Sequence, residues 1–417
     1  MLAPERPIDL DWRSDACARV PYRLYTDRAI YERELERLFY RDHWCYVALE
    51  AEVPRPGDFR RSAIGERDVI VVRDRDGAVN VLENRCAHRG VQFCQRPHGN
   101  GKTFVCPYHQ WSYDLKGNLI GLPFRNGVRQ GDRVNGGMPK DFELAEHGLT
   151  KLRVARYKGL IFASFDPGVE PFEDFVGPEV LRYVDRIFDG RELVLLGYNR
   201  QRIPGNWKLM QENIKDPYHP GLLHTWFVTF GLWRADQQSQ MVVDAHGRHA
   251  AMVSRKNDGG KGDVTAGVTS FRENMKLHDD RVLDVVVEPW WNGPTVTMLT
   301  LFPSLIVQQQ VNSLSTRHIV PRGPSAFDFV WTHFGFADDT PEMTRRRLRQ
   351  ANLFGPAGYV SADDGEVIEF SQRGFAQDAD GETVCELDGR GTGAAEHNVT
   401  ETLIRSMYAY YREVMEL

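Results

Sequence analysis

Cys86-x-His88 and, seventeen residues on, Cys106-x-x-His109 put one thiol and one imidazole on each of two short segments, "CAHRG" and "CPYHQW". Cysteine and histidine are the side chains that soft and borderline metals take. Both pairs stand where strand-like runs give way to turns, with Gly90 and Pro107 beside them, so chance placement explains them poorly. Structural zinc takes two cysteines and two histidines, but zinc fingers group like with like. Here each arm is mixed. The mixture suits a [2Fe–2S] cluster in which two histidines replace two cysteines on one iron. Each loop then gives sulfur to one iron and nitrogen to the other. Such a cluster carries one electron at a time and defines no reaction by itself.

A second constellation lies in "KDPYHPGLLH", residues 215–224. His219 and His224 are five apart, which on a straight helix points them roughly 140° away from each other. Pro217, Pro220 and Gly221 predict a bend between them. Two imidazoles and one carboxylate, with positions left open, make the facial triad of non-haem Fe(II) oxygenases. The carboxylate must come from elsewhere. "SADDGEVIEF" (361–370) is the acidic stretch beside apolar residues, and Asp363, Asp364, Glu366 and Glu369 are equal candidates by chemistry alone. Ser361-x-x-Asp364 also reads as a helix-capping pattern with acids in the first turn.

These groups need elements to hold them. The spacing predicts a helix over 26–44, capped by Thr26 or Asp27, with Ile30, Leu35, Leu38 and Phe39 inward. From about residue 45 to 165 the texture is short strands and turns. "DVIVV" and "AVNVLEN" flank "RDRDG" as a hairpin, and "KTFVC", "WSYDL" and "NLIGL" continue the block. Beyond it "NWKLMQENIKD" (206–216) is helical, with Trp207, Met210 and Ile214 on one side. "PTVTMLTLF", "LIVQQQVNSLSTRHIVP" and "FDFVWTHFGFA" read as three strands. "TPEMTRRRLRQANLFG" (340–355) is a helix with a Thr cap and a terminal Gly, and "TETLIRSMYAYYREVMEL" closes the chain as another. Residues 257–263 and 387–398 read as loops. The expected fold is α+β: a small all-β module at 45–165, a larger domain at 166–417, and a segment at 1–44 that packs with the larger domain.

Length and composition set the limits. A chain of 417 residues is enough for two or three domains. The net charge of −6, with both signs mixed, argues against nucleic acid or an acidic membrane surface as partner. No apolar run reaches the ~20 residues of a membrane helix, and the start lacks a basic-then-apolar leader pattern, so the expected compartment is the cytoplasm. Six cysteines make no disulfide framework. Cys17, Cys45, Cys94 and Cys385 read as free and buried.

The Cys86–His109 motif resembles the Rieske proteins. Val91 and Tyr108 stand where the respiratory type carries its disulfide cysteines, so the pattern is that of the oxygenase and ferredoxin type. The chain is similar, essentially end to end, to the large (α) subunits of Rieske ring-hydroxylating oxygenases, through "ENIKDPYHPGLLH" and "FGPAGYVSADDGE". The resemblance implies a [2Fe–2S] cluster on Cys86, His88, Cys106 and His109, and a mononuclear iron on His219, His224 and Asp364. It implies that Asp216 bridges the cluster of one subunit to the iron of the next. It further implies an antiparallel catalytic sheet flanked by helices, of helix-grip type, and a trimer of α subunits with small β subunits (α3β3). NADH electrons would come through a separate ferredoxin and reductase, since no dinucleotide fingerprint occurs here.

The implied substrate is an aromatic carboxylate. Hydroxylation of salicylate at C5 to gentisate is the favoured reaction. The rivals are cis-dihydroxylation of benzoate, anthranilate or terephthalate, and a pure electron-transfer Rieske protein. Gln310, Ser361, Arg317, Asn213 and Met210 are the candidate substrate contacts, with Ile214, Leu222, Leu223 and Val360 as candidate walls. Strand alternation sets Gln308 and Gln310 on one face.

Overall fold

A computed structural model describes residues 17–234, 236–255 and 274–417, with positions 8, 10, 12 and 272. The loop expected at 257–263 and most of the first sixteen residues lie outside the described residues. The chain forms two compact units, residues 40–169 and residues 1–39 with 170–417.

In residues 40–169 the alternating pattern builds β1 (Cys45–Leu49), β2 (Asp58–Ile64), β3 (Arg67–Arg73), β4 (Val79–Glu83), β5 (His98–Asn100), β6 (Phe104–Val105), β7 (Ser112–Tyr113), β8 (Leu119–Gly121), β9 (Arg153–Tyr157) and β10 (Leu160–Ser164). They pair as three sheets, in the orders β9-β10-β1, β4-β3-β2-β5 and β6-β7-β8. The "RDRDG" turn closes β3 onto β4 with Arg73 opposite Val79. The Asp74 carboxylate accepts from the amides of Asp76 and Ala78 at 2.9 and 3.0 Å, and Gly77 takes the φ of +86° that the turn demands. Phe59, Ile70, Val72, Leu82 and Phe104 pack around Cys86 and Cys106. The loops that carry the cysteines are thereby anchored in the core.

In the second unit a short strand (Arg19–Pro21) and a helical turn (Arg23–Thr26) precede α1 (Arg28–Glu34), which is capped by the Asp27 carboxylate accepting from Ala29 N at 2.8 Å. Ile30, Leu35, Leu38 and Phe39 are buried as expected. The helix ends sooner than the predicted residue 44. A wider turn over Leu35–Phe39 finishes it, and Asp42 goes left-handed at φ +52°. Then come α2 (Pro178–Ile187), α3 (Trp207–Lys215), α4 (Pro220–Leu223), α5 (Thr225–Thr229), α6 (Pro341–Phe354), α7 (Ser361–Phe375) and α8 (Thr402–Met415).

The main sheet of this unit has seven strands among the described residues: β11 (Leu193–Ile203), β12 (Gln238–Val243), β13 (Ala250–Arg255), β14 (Val296–Leu301), β15 (Leu305–Gln310), β16 (Ser313–Pro321) and β17 (Phe327–Phe336). Its order is β11-β17-β16-β15-β14-β13-β12, antiparallel throughout. The stretch 305–321, expected as one strand, is a hairpin. Val311 turns at φ +47°, rare for a β-branched residue. The Asn312 side chain holds the turn by donating to Val286 O and Glu288 Oε1 at 2.7 and 2.8 Å. No glycine marks this turn, which is why the strand pattern runs through it. Helix α3 packs against β14 and β16 with Trp207, Met210 and Ile214 buried. Among the described residues no helix is long and apolar enough to cross a membrane. All six cysteines are free and buried.

Candidate functional site

The two loops of the first unit share one backbone pattern. Cys86 N donates to Val91 O and Gly90 N to Cys86 O; Cys106 N donates to Trp111 O and Gln110 N to Cys106 O, all at 2.9 Å. The fourth residue after each cysteine turns left-handed, Gly90 at φ +70° and Gln110 at φ +57°. Two like loops therefore each present a thiol and an imidazole, the histidine two residues after the cysteine in one and three in the other. Cys86 Sγ lies 3.2 Å from the Tyr113 hydroxyl. The rings of His88 and His109 are 4.7 Å apart, and His88 lies flat on Trp111 with an interplanar angle of 2°. Burial raises the Cys106 thiol and lowers His88, which His109 and Arg89 lower further. His109 Nδ1 has no hydrogen-bond partner among the described residues. The residues fit a [2Fe–2S] cluster: one thiol and one imidazole on each of two loops supply the two sulfurs and two nitrogens that such a cluster takes.

In the second unit α3 ends at Asp216, whose ψ of 101° takes the chain out of the helix. Asp216 Oδ1 then accepts from Tyr218 N at 2.7 Å and His219 N at 3.3 Å. Helix α4 starts there and stops at His224, with ψ 84°. The bend predicted at Pro220-Gly221 is thus displaced to Asp216 and His224. Pro220 opens α4, where a missing N–H costs nothing. Gly221 is helical and serves close approach: a Cβ there would stand 2.2 Å from the Trp233 ring.

This path brings the rings of His219 and His224 to 5.5 Å. The first turn of α7 supplies the third group. Asp364 Oδ1 is 3.3 Å from His224 Nε2 and 3.6 Å from His219 Nε2. All three ligand atoms lie within 4.8 Å of one another, among the described residues the one such trio of His, Cys, Asp or Glu. Asp363 faces His224 Nδ1 at 3.2 Å instead. Glu366 is exposed, and Glu369 pairs with Arg373. Asp216 Oδ2 faces His219 Nδ1 at 3.4 Å, and Asn213 Nδ2 donates to Asp364 Oδ1 at 3.1 Å. Burial lowers the His219 pKa, but Asp216 and Asp364 outweigh it and push it up to about 10. Burial raises that of Asp364, but His219 and His224 hold it well below the usual carboxylate range. The trio is a preformed pocket for positive charge, as a cation site should be.

A cavity opens beside the trio, walled by Ile214, Phe227, Leu232, Trp233, Val253 and Val360. Met241, Met252, Met298 and Gln308 are successive cross-strand partners and form its floor. Of the expected substrate contacts, Gln310, Arg317 and Asn213 line the cavity; Met210 and Ser361 do not. Met210 is 1% exposed within the core. The Ser361 hydroxyl neither caps α7 nor faces the cavity, but donates to Gln201 Oε1 at 2.9 Å. Leu222 is exposed, and it and Leu223 are absent from the walls.

Arg317 is buried and makes no ion pair among the described residues. Its guanidinium carbon lies 3.7 Å from the Trp331 ring centre, and Nε and Nη2 have no hydrogen-bond partner among the described residues. Burial lowers its pKa to about 9, with Asp364 opposing. Sequence reasoning gave no site role to Gln308, Trp233 or the methionine row. Strand alternation, which sets Gln308 beside Gln310, was the one available signal.

The Rieske [2Fe-2S] domain family matches residues 43–132, and the ring hydroxylating alpha subunit (catalytic domain) family matches residues 188–417. The salicylate 5-hydroxylase large oxygenase component of Ralstonia sp is 65% identical over 99% of this chain and 98% of that one. The anthranilate 1,2-dioxygenase large subunit of Burkholderia cepacia is 42% identical over 98% of this chain and 96% of its own. In fold, the chain is similar to naphthalene 1,2-dioxygenase from Rhodococcus sp. bound to indole, with a TM-score of 0.78 and 24% identity over 95% of this chain and 94% of that one. The chain therefore belongs to the ring-hydroxylating oxygenase α subunits, with a Rieske [2Fe–2S] domain, a non-haem iron catalytic domain, and NADH-derived electrons delivered by a separate reductase and ferredoxin.

Proposed function

We propose that this α subunit hydroxylates salicylate at C5 to gentisate, using O₂ and NADH-derived electrons. One oxygen atom enters the ring and the other leaves as water. The carrying observation is Arg317, a buried cation with no ion pair and no hydrogen bond from Nε or Nη2 among the described residues, in the cavity that His219, His224 and Asp364 also line. Leaving a buried charge unpaired is costly. A substrate carboxylate removes that cost, and guanidinium takes carboxylate in two parallel bonds. The apolar walls take the ring.

Cys86, His88, Cys106 and His109 hold the cluster, and His219, His224 and Asp364 the iron. When bound, the iron supplies O₂ activation and the cluster supplies electrons singly. Asp363 fixes the His224 ring through Nδ1, and Asn213 fixes Asp364. Asp216 orients His219 from its Nδ1 side and, in this reading, links it to a cluster histidine of a neighbouring subunit. The assembly is α3β3 in the cytoplasm. Between residues 85 and 140 stand nine Lys and Arg against two Asp and Glu, in a chain of net charge −6. That excess suits an acidic partner at the cluster loops, whether ferredoxin or a second copy's catalytic unit.

The second reading, cis-dihydroxylation of a benzoate, anthranilate or terephthalate, is favoured by the anthranilate dioxygenase relative at 42% identity. Salicylate and anthranilate share a carboxylate with an ortho hydrogen-bond donor, so Arg317 serves both. Product analysis with a reconstituted reductase and ferredoxin separates them. Gentisate from salicylate is the expected product; a diol from another benzoate, with nothing from salicylate, overturns the proposal.

A further inference from the structure

Strands β15 and β16 pair with Ile306 opposite Arg317 and Gln308 opposite Ser315. Gln308 is therefore the diagonal neighbour of Arg317 on one face of the sheet, about 7–8 Å away along the backbone. Both line the cavity. Gln310 follows two residues farther from Arg317 on the same face, and the Gln308 amide donates to Gln310 Oε1. With that bond made, the pair retains one carbonyl oxygen and one NH₂, neither with another side-chain or backbone partner among the described residues. This holds whichever way the two amides are turned. On the other side of Gln308 the surface becomes apolar, with Met298 opposite it and Met252 next. Moving along the floor from the guanidinium, the order is cation, amide, thioether.

We propose that Gln308, held in place by Gln310, reads the substituent ortho to the substrate carboxylate. The inference rests on Arg317 as the carboxylate anchor and deepens that reading. With the carboxylate on Arg317, the ortho atom is the ring substituent nearest the next side chain of the floor. An ortho hydroxyl or amino group donates to the free carbonyl oxygen of the amide pair, and a hydroxyl can also accept from its free NH₂. The remaining ring carbons lie over the methionines. Two polar contacts at adjacent ring positions fix rotation of the ring about its carboxylate axis, which one contact does not. Gln308 is thus a specificity residue, and Gln310 a positioning residue that also supplies the donor.

The test is isothermal titration of the assembled holoenzyme with salicylate and with benzoate. One neutral hydrogen bond gives wild type a preference for salicylate on the order of fivefold to tenfold. In Gln308→Met, which keeps length and apolar volume, that preference should fall to within about twofold while benzoate affinity stays the same. Gln308→Leu should do likewise, and Gln310→Met should reduce the preference partway. Arg317→Met should weaken both acids together. An unchanged salicylate-to-benzoate ratio in Gln308→Met and Gln308→Leu overturns the proposal, whether or not both acids also bind more weakly. Unaltered binding of both acids by Arg317→Met overturns the anchor reading instead, and the ortho proposal with it.

Discussion

Arg317 lies with its guanidinium carbon 3.7 Å from the centre of the Trp331 ring. A cation over an aromatic face gains about 2 kcal/mol when desolvated, less than the full cost of burying an unpaired charge. The deficit is held in the unliganded protein and relieved by an anion. Arg317→Met should therefore lose salicylate affinity by about a hundredfold or more, with a thermal midpoint equal to or above wild type. Salicylate should raise the wild-type midpoint and leave the variant's unmoved. Calorimetry reads both, and a variant that still binds salicylate normally would refute the anchor.

His219 and His224 meet Asp364 through their Nε2 atoms, so removal of one imidazole leaves too few ligands to retain iron. His219→Ala should lower the iron content from about three to about two per chain. The visible spectrum of the cluster should not change, because its ligands lie in a separately packed unit. Iron analysis with absorption spectroscopy decides this. Three irons retained would remove His219 from the site.

Asp216 touches His219 from the side away from Asp364. Asp216→Asn retains the hydrogen bonds from Tyr218 N and His219 N, since an amide oxygen also accepts them. The turn into α4 should therefore persist, with both metals bound. If Asp216 is the proposed link between subunits, turnover should fall by at least about a hundredfold. Single-turnover mixing should show a cluster that reduces normally but reoxidises slowly. Normal reoxidation would reduce Asp216 to a helix-end residue.

Gly221 is matched to Trp233. A methyl at this position would lie 2.2 Å from the indole, and overpacking of this kind costs about 1–3 kcal/mol. Gly221→Ala should displace Trp233 from the cavity wall and shift the turn between the two histidines. Iron occupancy and hydroxylation should fall together while the cluster spectrum stays intact. Full iron content with full activity would show that the turn absorbs the methyl.

What was legible in the sequence is what short-range chemistry decides. Asp27 and Thr340 cap their helices, "RDRDG" closes its hairpin, and the mixed Cys–His arms sit on two like turns. Asp364 was one of four equal carboxylates until the family resemblance selected it. The fold supplies the physical reason: it alone of the four is buried against both imidazoles. Groups brought together by distant strands stayed hidden. Ser361 reads as a cap but bonds Gln201, 160 residues away. The turn at Val311 depends on Asn312 reaching Val286 and Glu288. Gln308 acquires its place only from the register of β15 on β16.

Lys215 offers a test of the helix that leads into the site. It is 1% exposed, its ammonium donates to Gln211 Oε1 at 2.9 Å, and burial pulls its pKa down to about 7 against the opposing charge of Asp244. An unfolded lysine titrates near 10.4. Between about pH 7 and that value the unfolded chain binds a proton that the folded chain lacks, so stability rises with pH across this window. Below pH 7 both states are protonated and the folded state bears the whole cost of the buried charge. The slope is about 1.4 kcal/mol per pH unit within the window, a few kcal/mol in all. Lys215→Met removes the titration. It should be more stable than wild type at pH 6–7, and its advantage should shrink steadily toward pH 10. Urea midpoints of both proteins at pH 6.5, 8 and 9.5 measure this. A difference that stays constant with pH would mean that Lys215 titrates normally in the folded chain.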